Sequence, residues 1–281
     1  SITDNYNSHI SFKVEGFQVE DGQQPDFGSI SVLVNGKDDL NLDAGFYDGI
    51  ITGEDGVPVR AFDGSSALDE NGDMIYYYVQ EDGSMEFDIN MNNYSEKGFF
   101  IGKDIQVELK DLGTVDKAEF TRTLEGTWSF EWTLGGADTA KTYTLNQPLG
   151  DSGATIQTVE ISPISVYAEY NFPIQKETIT GENEDGTTSE STTFKEAPPL
   201  MGIKLKDGTV IKNMYMGGGM IGYQNNSSDD YVYAYATDRI IDPDQIAYFL
   251  FINDDAPIGE QGMTEDNFYE VAVGENQQGD R

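Results

Sequence analysis

The 281-residue sequence contains no cysteine, a single histidine, and only 16 Lys+Arg against 51 Asp+Glu, for a formal net charge of −35. Without cysteine there is no disulfide, thiolate nucleophile, zinc ribbon or iron–sulfur ligation, and one histidine excludes the His-rich zinc sites. A hydrolytic triad would have to use His9, close to the N-terminus. Nucleic-acid binding needs a basic face that displaces counterions from phosphates, and a chain this acidic is repelled by DNA, RNA and anionic lipid. No apolar run approaches the ~20 residues of a membrane-spanning helix, and no secretory leader is recognisable. The sequence is accordingly read as a mature or trimmed ectodomain, any membrane anchor being expected upstream of Ser1.

The excess charge does not imply disorder. Hydrophobic residues make up 37% and aromatics 12%, with 16 Tyr and 15 Phe, whereas acidic disordered chains are poor in large buriable side chains. Alternation dominates the pattern. Ile10, Phe12 and Val14 alternate with polar residues, as do Ile30, Val32 and Val34, then Met85, Phe87, Ile89 and Met91, then Ile105, Val107 and Leu109. Each run reads as a half-buried antiparallel strand. In the run Thr127–Leu134, Trp128, Phe130, Trp132 and Leu134 share one face, which predicts a core strand at the centre of a sandwich; a sugar-binding aromatic platform is the functional competitor. Asn35-Gly36, Asp55-Gly56, Asn71-Gly72, Asp82-Gly83 and Asp207-Gly208 supply the positive φ angles of tight hairpins. Pro243 to Ile252 reads as a short turn leading into a buried strand, and Phe268 to Val273 as a last strand.

These signals predict an all-β protein of two antiparallel, Ig-like β-sandwich domains in tandem, residues 1–138 and 139–281, the junction marked by Gly135-Gly136-Ala137-Asp138. The second domain is expected to carry a long polar loop at 176–199. No Lys or Arg occurs between Ala61 and Glu96 or between Ile240 and Asp280, which reads as a solvated acidic exterior, with calcium loading the functional alternative.

Four constellations invite a chemical reading. Asp69-Glu70-Asn71-Gly72-Asp73 opens like a calcium loop, but Met74 stands at the required glycine and Gln80 at the bidentate glutamate. Glu86 and Asp88 fall on one strand face, as in β-sandwich glucanases, yet the third acid position is Asn90, so no proton donor is available. Gly217 to Gly222 matches a pyrophosphate-cradling G-x-G-x-x-G without the helix that such a loop must open. Tyr76-Tyr77-Tyr78 and Tyr231, Tyr233, Tyr235 can line a ligand face but also suit strand packing. His9, on the polar side of its strand, reads as incidental. No catalytic, cofactor-binding or metal-ligating residue is expected.

The order Glu125-Gly126-Thr127-Trp128-Ser129-Phe130, Lys141 to Asn146, Val159-Glu160-Ile161-Ser162-Pro163-Ile164-Ser165 and Leu205-Lys206-Asp207-Gly208-Thr209 resembles the extracytoplasmic region of a Gram-positive family of membrane-anchored, anti-sigma-like proteins annotated mainly as domains of unknown function. Its G-x-W-x-F strand, S-P-[IL]-S turn and K-D-G hairpin recur at similar separations over about Lys103 to Ile252. The resemblance implies a cytoplasmic segment, one membrane helix and two external β-domains, and no catalytic residue. It leads to the expectation of a non-enzymatic sensing or interaction region at the extracellular face of the membrane, whose partner is an unknown extracellular ligand or protein. A secreted or wall-displayed adhesin or carbohydrate-binding module is the alternative, and a β-sandwich glycosidase the third reading.

Overall fold

A computed structural model describes residues 1–19, 23–38, 40–46, 83–116, 118–136, 140–182, 188–225, 227–253 and 264–274. They are nearly all β, in antiparallel sheets. The strands are β1 (Ile2–Thr3), β2 (Asn7–Val14), β3 (Gln24–Val34), β4 (Asn41–Gly45), β5 (Met85–Asn92), β6 (Asp104–Asp116), β7 (Glu119–Thr133), β8 (Lys141–Pro148), β9 (Thr155–Ile161), β10 (Ser165–Asn171), β11 (Lys176–Glu182), β12 (Thr188–Phe194), β13 (Leu200–Leu205), β14 (Val210–Ile211), β15 (Tyr215–Tyr223), β16 (Asp230–Thr237), β17 (Ile246–Ile252) and β18 (Phe268–Ala272).

Sheets β1-β2-β5-β4 and β3-β6-β7 face one another. The alternation read in the sequence places Ile10, Met85, Phe87, Ile89 and Met91 of the first sheet against Val32, Val34, Ile105, Val107 and Leu109 of the second, in one buried cluster. Asn35 and Gly36, at φ 49° and 75°, make the turn after β3 that their sequence predicts. Trp128, Phe130 and Trp132 depart from expectation. Among the described residues β7 pairs only with β6, so it forms the edge of its sheet rather than the centre. At an edge the opposing sheet covers an apolar face only in part: the indoles are half-buried and Phe130 is 38% exposed, with the Phe12 ring tilted against it at 4.6 Å.

Sheets β15-β16-β10-β9-β8 and β14-β13-β17-β18 enclose a second cluster, formed by Ile156, Ile161, Val166, Tyr170 and Tyr235 against Leu200, Ile203, Phe249, Phe251 and Val271. β17 is apolar on both faces and lies between β13 and β18, entered through a 3₁₀ turn at Pro243–Gln245 capped by the Asp242 carboxylate. Gly208, at φ 92°, closes the β13–β14 hairpin. Within the stretch expected as a long polar hairpin loop, β11 and β12 pair from Lys176↔Phe194 to Glu182↔Thr188, with β12 exposed throughout. Threonine-rich alternation suits an extended ribbon that never enters a core.

Among the described residues no sheet combines strands from before Leu134 with strands after it. The two groups meet at a joint made by the first residues of the chain. Asp4 is buried, and its Oδ1 accepts hydrogen bonds from the backbone N–H groups of Tyr6 at 2.7 Å and Asn7 at 2.6 Å. Its Oδ2 accepts the hydroxyls of Ser162 and Ser165, the latter at 2.5 Å. Ser162 Oγ in turn accepts from the N–H groups of Ile164 and Ser165. The S-P-I-S turn is thus a hydroxyl cradle for a carboxylate from the other group of sheets. Beside it Tyr6 stacks on Tyr167 at 4.5 Å and on Tyr94 at 5.8 Å, over Val232 and Ala234 of the five-stranded sheet. Lys97 and Asn5 both reach Glu160 at the rim.

Candidate functional site

The polar outer face of β2 and β5 carries the densest convergence of donor atoms. Because Ile10, Phe12 and Val14 of β2 and Met85, Phe87, Ile89 and Met91 of β5 point into the core, the pleat sends His9, Ser11 and Lys13 outward beside Glu86, Asp88 and Asn90. Pairing His9↔Asn90, Ser11↔Asp88 and Lys13↔Glu86 then sets the histidine diagonal to Asp88. β4 adds Asp43 beside Asn90 and leaves Gly45, without a side chain, beside Asp88.

His9 Nδ1 lies 2.6 Å from Asn90 Oδ1, and His9 Nε2 lies 3.6 Å from Asp88 Oδ1. With Asn90 Oδ1 as the acceptor, Nδ1 donates to it, and Nε2 is left facing the Asp88 carboxylate. Burial holds the imidazole below its ordinary pKa, against the Asn90 hydrogen bond and the Glu86 charge, which favour the cation. Ser11 donates its hydroxyl to Glu86 Oε1. One nitrogen of His9 and one oxygen each of Glu86 and Asp88 lie within 4.8 Å of one another. His9 is 7% exposed and Asp88 0%, while Glu86 is half-buried at the solvent side.

Glu86 and Asp88 do share a face, as their alternation implies, with Asn90 bonded to His9 where a glucanase would need a further acid. His9, which reads as incidental in the sequence, is brought beside Glu86 and Asp88 by the fold. Its own alternation with Ser11 and Lys13 marks the correct face, but the partner strand is more than seventy positions away, and no local signal names it. The glycine run Gly217–Gly222 lies within β15, not before a helix, and no phosphate cradle exists there. Gly219 is required by close approach: a Cβ on it would stand 2.2 Å from the Ala234 carbonyl oxygen. Tyr231, Tyr233 and Tyr235 are buried, with Tyr235 donating to the Leu200 carbonyl at 2.6 Å and Tyr233 facing Met201 Sδ, so they pack rather than line an exposed face. Asp69–Asp73 and Tyr76–Tyr78 lie outside the described residues.

No protein-family model matches the chain, and no curated protein does. Among solved structures it is similar to a conserved domain protein from Bacillus anthracis, at 13% identity and a TM-score of 0.37, over 90% of this chain and 72% of that one. A likeness at that level carries no functional argument.

Proposed function

We propose that the chain is a non-enzymatic extracytoplasmic sensing or interaction region of a membrane-anchored, anti-sigma-like regulator, built as two Ig-like β-sandwiches in tandem divided near residue 138. The observation that carries this reading is the joint. Residues 4–6 are held by the S-P-I-S turn and by Tyr167, so the segment that an upstream membrane helix would lead into is fastened between the two groups of sheets. A ligand or partner that altered their relative placement would act directly on that segment, as a sensing region requires. One motif of the family resemblance thereby acquires a mechanical task.

The non-enzymatic part is supported by the glucanase-like pair. Asp88 has no exposed surface and Asn90 stands where a further acid would protonate a leaving oxygen, so Glu86 faces solvent without the second accessible carboxyl that glycoside hydrolysis requires. The test is a reporter driven by the promoter of the cognate sigma factor, in cells carrying the full-length gene. Asp4→Ala, expressed at wild-type levels in the membrane, should change the reporter response. An unchanged response would remove the regulator reading.

A further inference from the structure

We propose that His9, Glu86 and Asp88 form a binding site for one first-row divalent cation of the zinc class. Three features converge on it. The donor set is one imidazole nitrogen and two carboxylate oxygens within 4.8 Å of one another, carried on adjacent strands rather than on loops. With metal–ligand bonds of about 2.0–2.2 Å, donors of a tetrahedral site sit roughly 3.3–3.6 Å apart. The 3.6 Å between His9 Nε2 and Asp88 Oδ1 already has that spacing. Glu86 closes the remainder by a side-chain rotation, exchanging its hydrogen bond from Ser11 for the cation.

The second feature is the tautomer. A metal-binding histidine commonly donates its other ring N–H to an oxygen that fixes the ring, and Asn90 Oδ1 occupies that role at 2.6 Å from Nδ1. Nε2 is consequently turned toward the Asp88 carboxylate, the direction from which the two would hold a shared cation. The third is placement: His9 and Asp88 are buried, whereas Glu86 meets solvent and offers an entry path. Imidazole ligation favours zinc, cobalt or nickel over calcium, magnesium and manganese, which prefer oxygen shells. Three protein donors leave a fourth position for water or for a donor group of a partner.

This inference is independent of the regulatory reading, and its test does not involve membranes or transcription. A surface with a net charge of −35 binds cations loosely everywhere, so a bulk binding isotherm is a poor witness. The single histidine provides a selective one, because the side-chain ¹⁵N spectrum of the full chain contains one imidazole. Titration of chelator-treated protein with Zn²⁺ alone should move the Nε2 resonance to completion at one equivalent while Nδ1 keeps its proton. Co²⁺ alone should give a visible absorption band that disappears in His9→Gln and in Glu86→Gln. A histidine spectrum unmoved after several equivalents of Zn²⁺, or a cobalt band equally strong in both variants, would overturn the site.

Discussion

Ser165 donates its hydroxyl to Asp4 Oδ2 at 2.5 Å, across 161 positions of sequence and between two groups of sheets that share no strand among the described residues. Ser162 adds a second hydroxyl to the same oxygen. Two buried hydroxyls and two backbone N–H groups therefore depend on one carboxylate.

Removing that carboxylate leaves four donors without their acceptor, and each buried donor stranded in this way costs about 1–3 kcal/mol, less whatever water recovers. Asp4→Ala and Ser162→Ala/Ser165→Ala are each expected to lower unfolding stability by roughly 3 kcal/mol, because losing Ser162 Oγ also strands the N–H groups of Ile164 and Ser165. Urea unfolding of the wild type and the two variants measures both losses. A loss below about 1 kcal/mol in either would show that the joint does not rest on these contacts.

Burial raises the Asp4 pKa above 3.8 and outweighs the four hydrogen bonds that favour the anion. The folded state thus binds this proton more readily than the unfolded chain. Its contribution to stability is complete below 3.8 and is lost as pH rises through the folded value. As pH falls from neutrality toward 3.8, the wild type should gain stability relative to Asp4→Asn, whose side chain does not titrate. Taking the difference between the two proteins cancels the common response of the other carboxylates. A difference that stays flat, or moves the other way, contradicts the assigned cause.

The aromatic residues of the first two sheets should separate by burial rather than by type. Phe87 has no exposed surface, and Phe87→Ala is expected to cost about 3–5 kcal/mol. Phe130→Ala, at a side chain exposed by 38% and packed on the Phe12 ring, should cost about 1–2 kcal/mol. Chemical denaturation of the two variants measures both. Equal losses would return Phe130 to a core position.

Gly219→Ala should destabilise by about 1–3 kcal/mol, because the new methyl meets the Ala234 carbonyl and β15 must move away from β16. Thermal unfolding should show the loss, and a nucleotide should protect neither wild type nor variant. Protection of the wild type would revive the phosphate-loop reading of this glycine run.

Strands were legible wherever one face is buried and the other wet, because a period of two then records the fold directly: Ile10 to Val14, Met85 to Met91 and Ile105 to Leu109 all fall on described strands. The Trp128–Trp132 strand shows the limit of that rule. Alternation tells which face is apolar, but the same pattern serves a central strand and an edge strand, since neighbour number is set by distant pairing. The candidate site was half legible for a related reason. Glu86 and Asp88 are neighbours on one strand, whereas His9 joins them through the register of β2 against β5. The Ser162–Ser165 turn was visible as a turn, but its partner Asp4 was not, as no local rule couples a hydroxyl pair to a carboxylate so far away.

The central claim, an external region of an anchored regulator, is tested most directly by protease treatment of intact cells that express the full-length protein with an epitope inserted in this region. The account predicts that the epitope fractionates with membranes and is cleaved from outside while a cytoplasmic marker stays intact. An epitope recovered in the cytosolic fraction, protected until the cells are lysed, would contradict it.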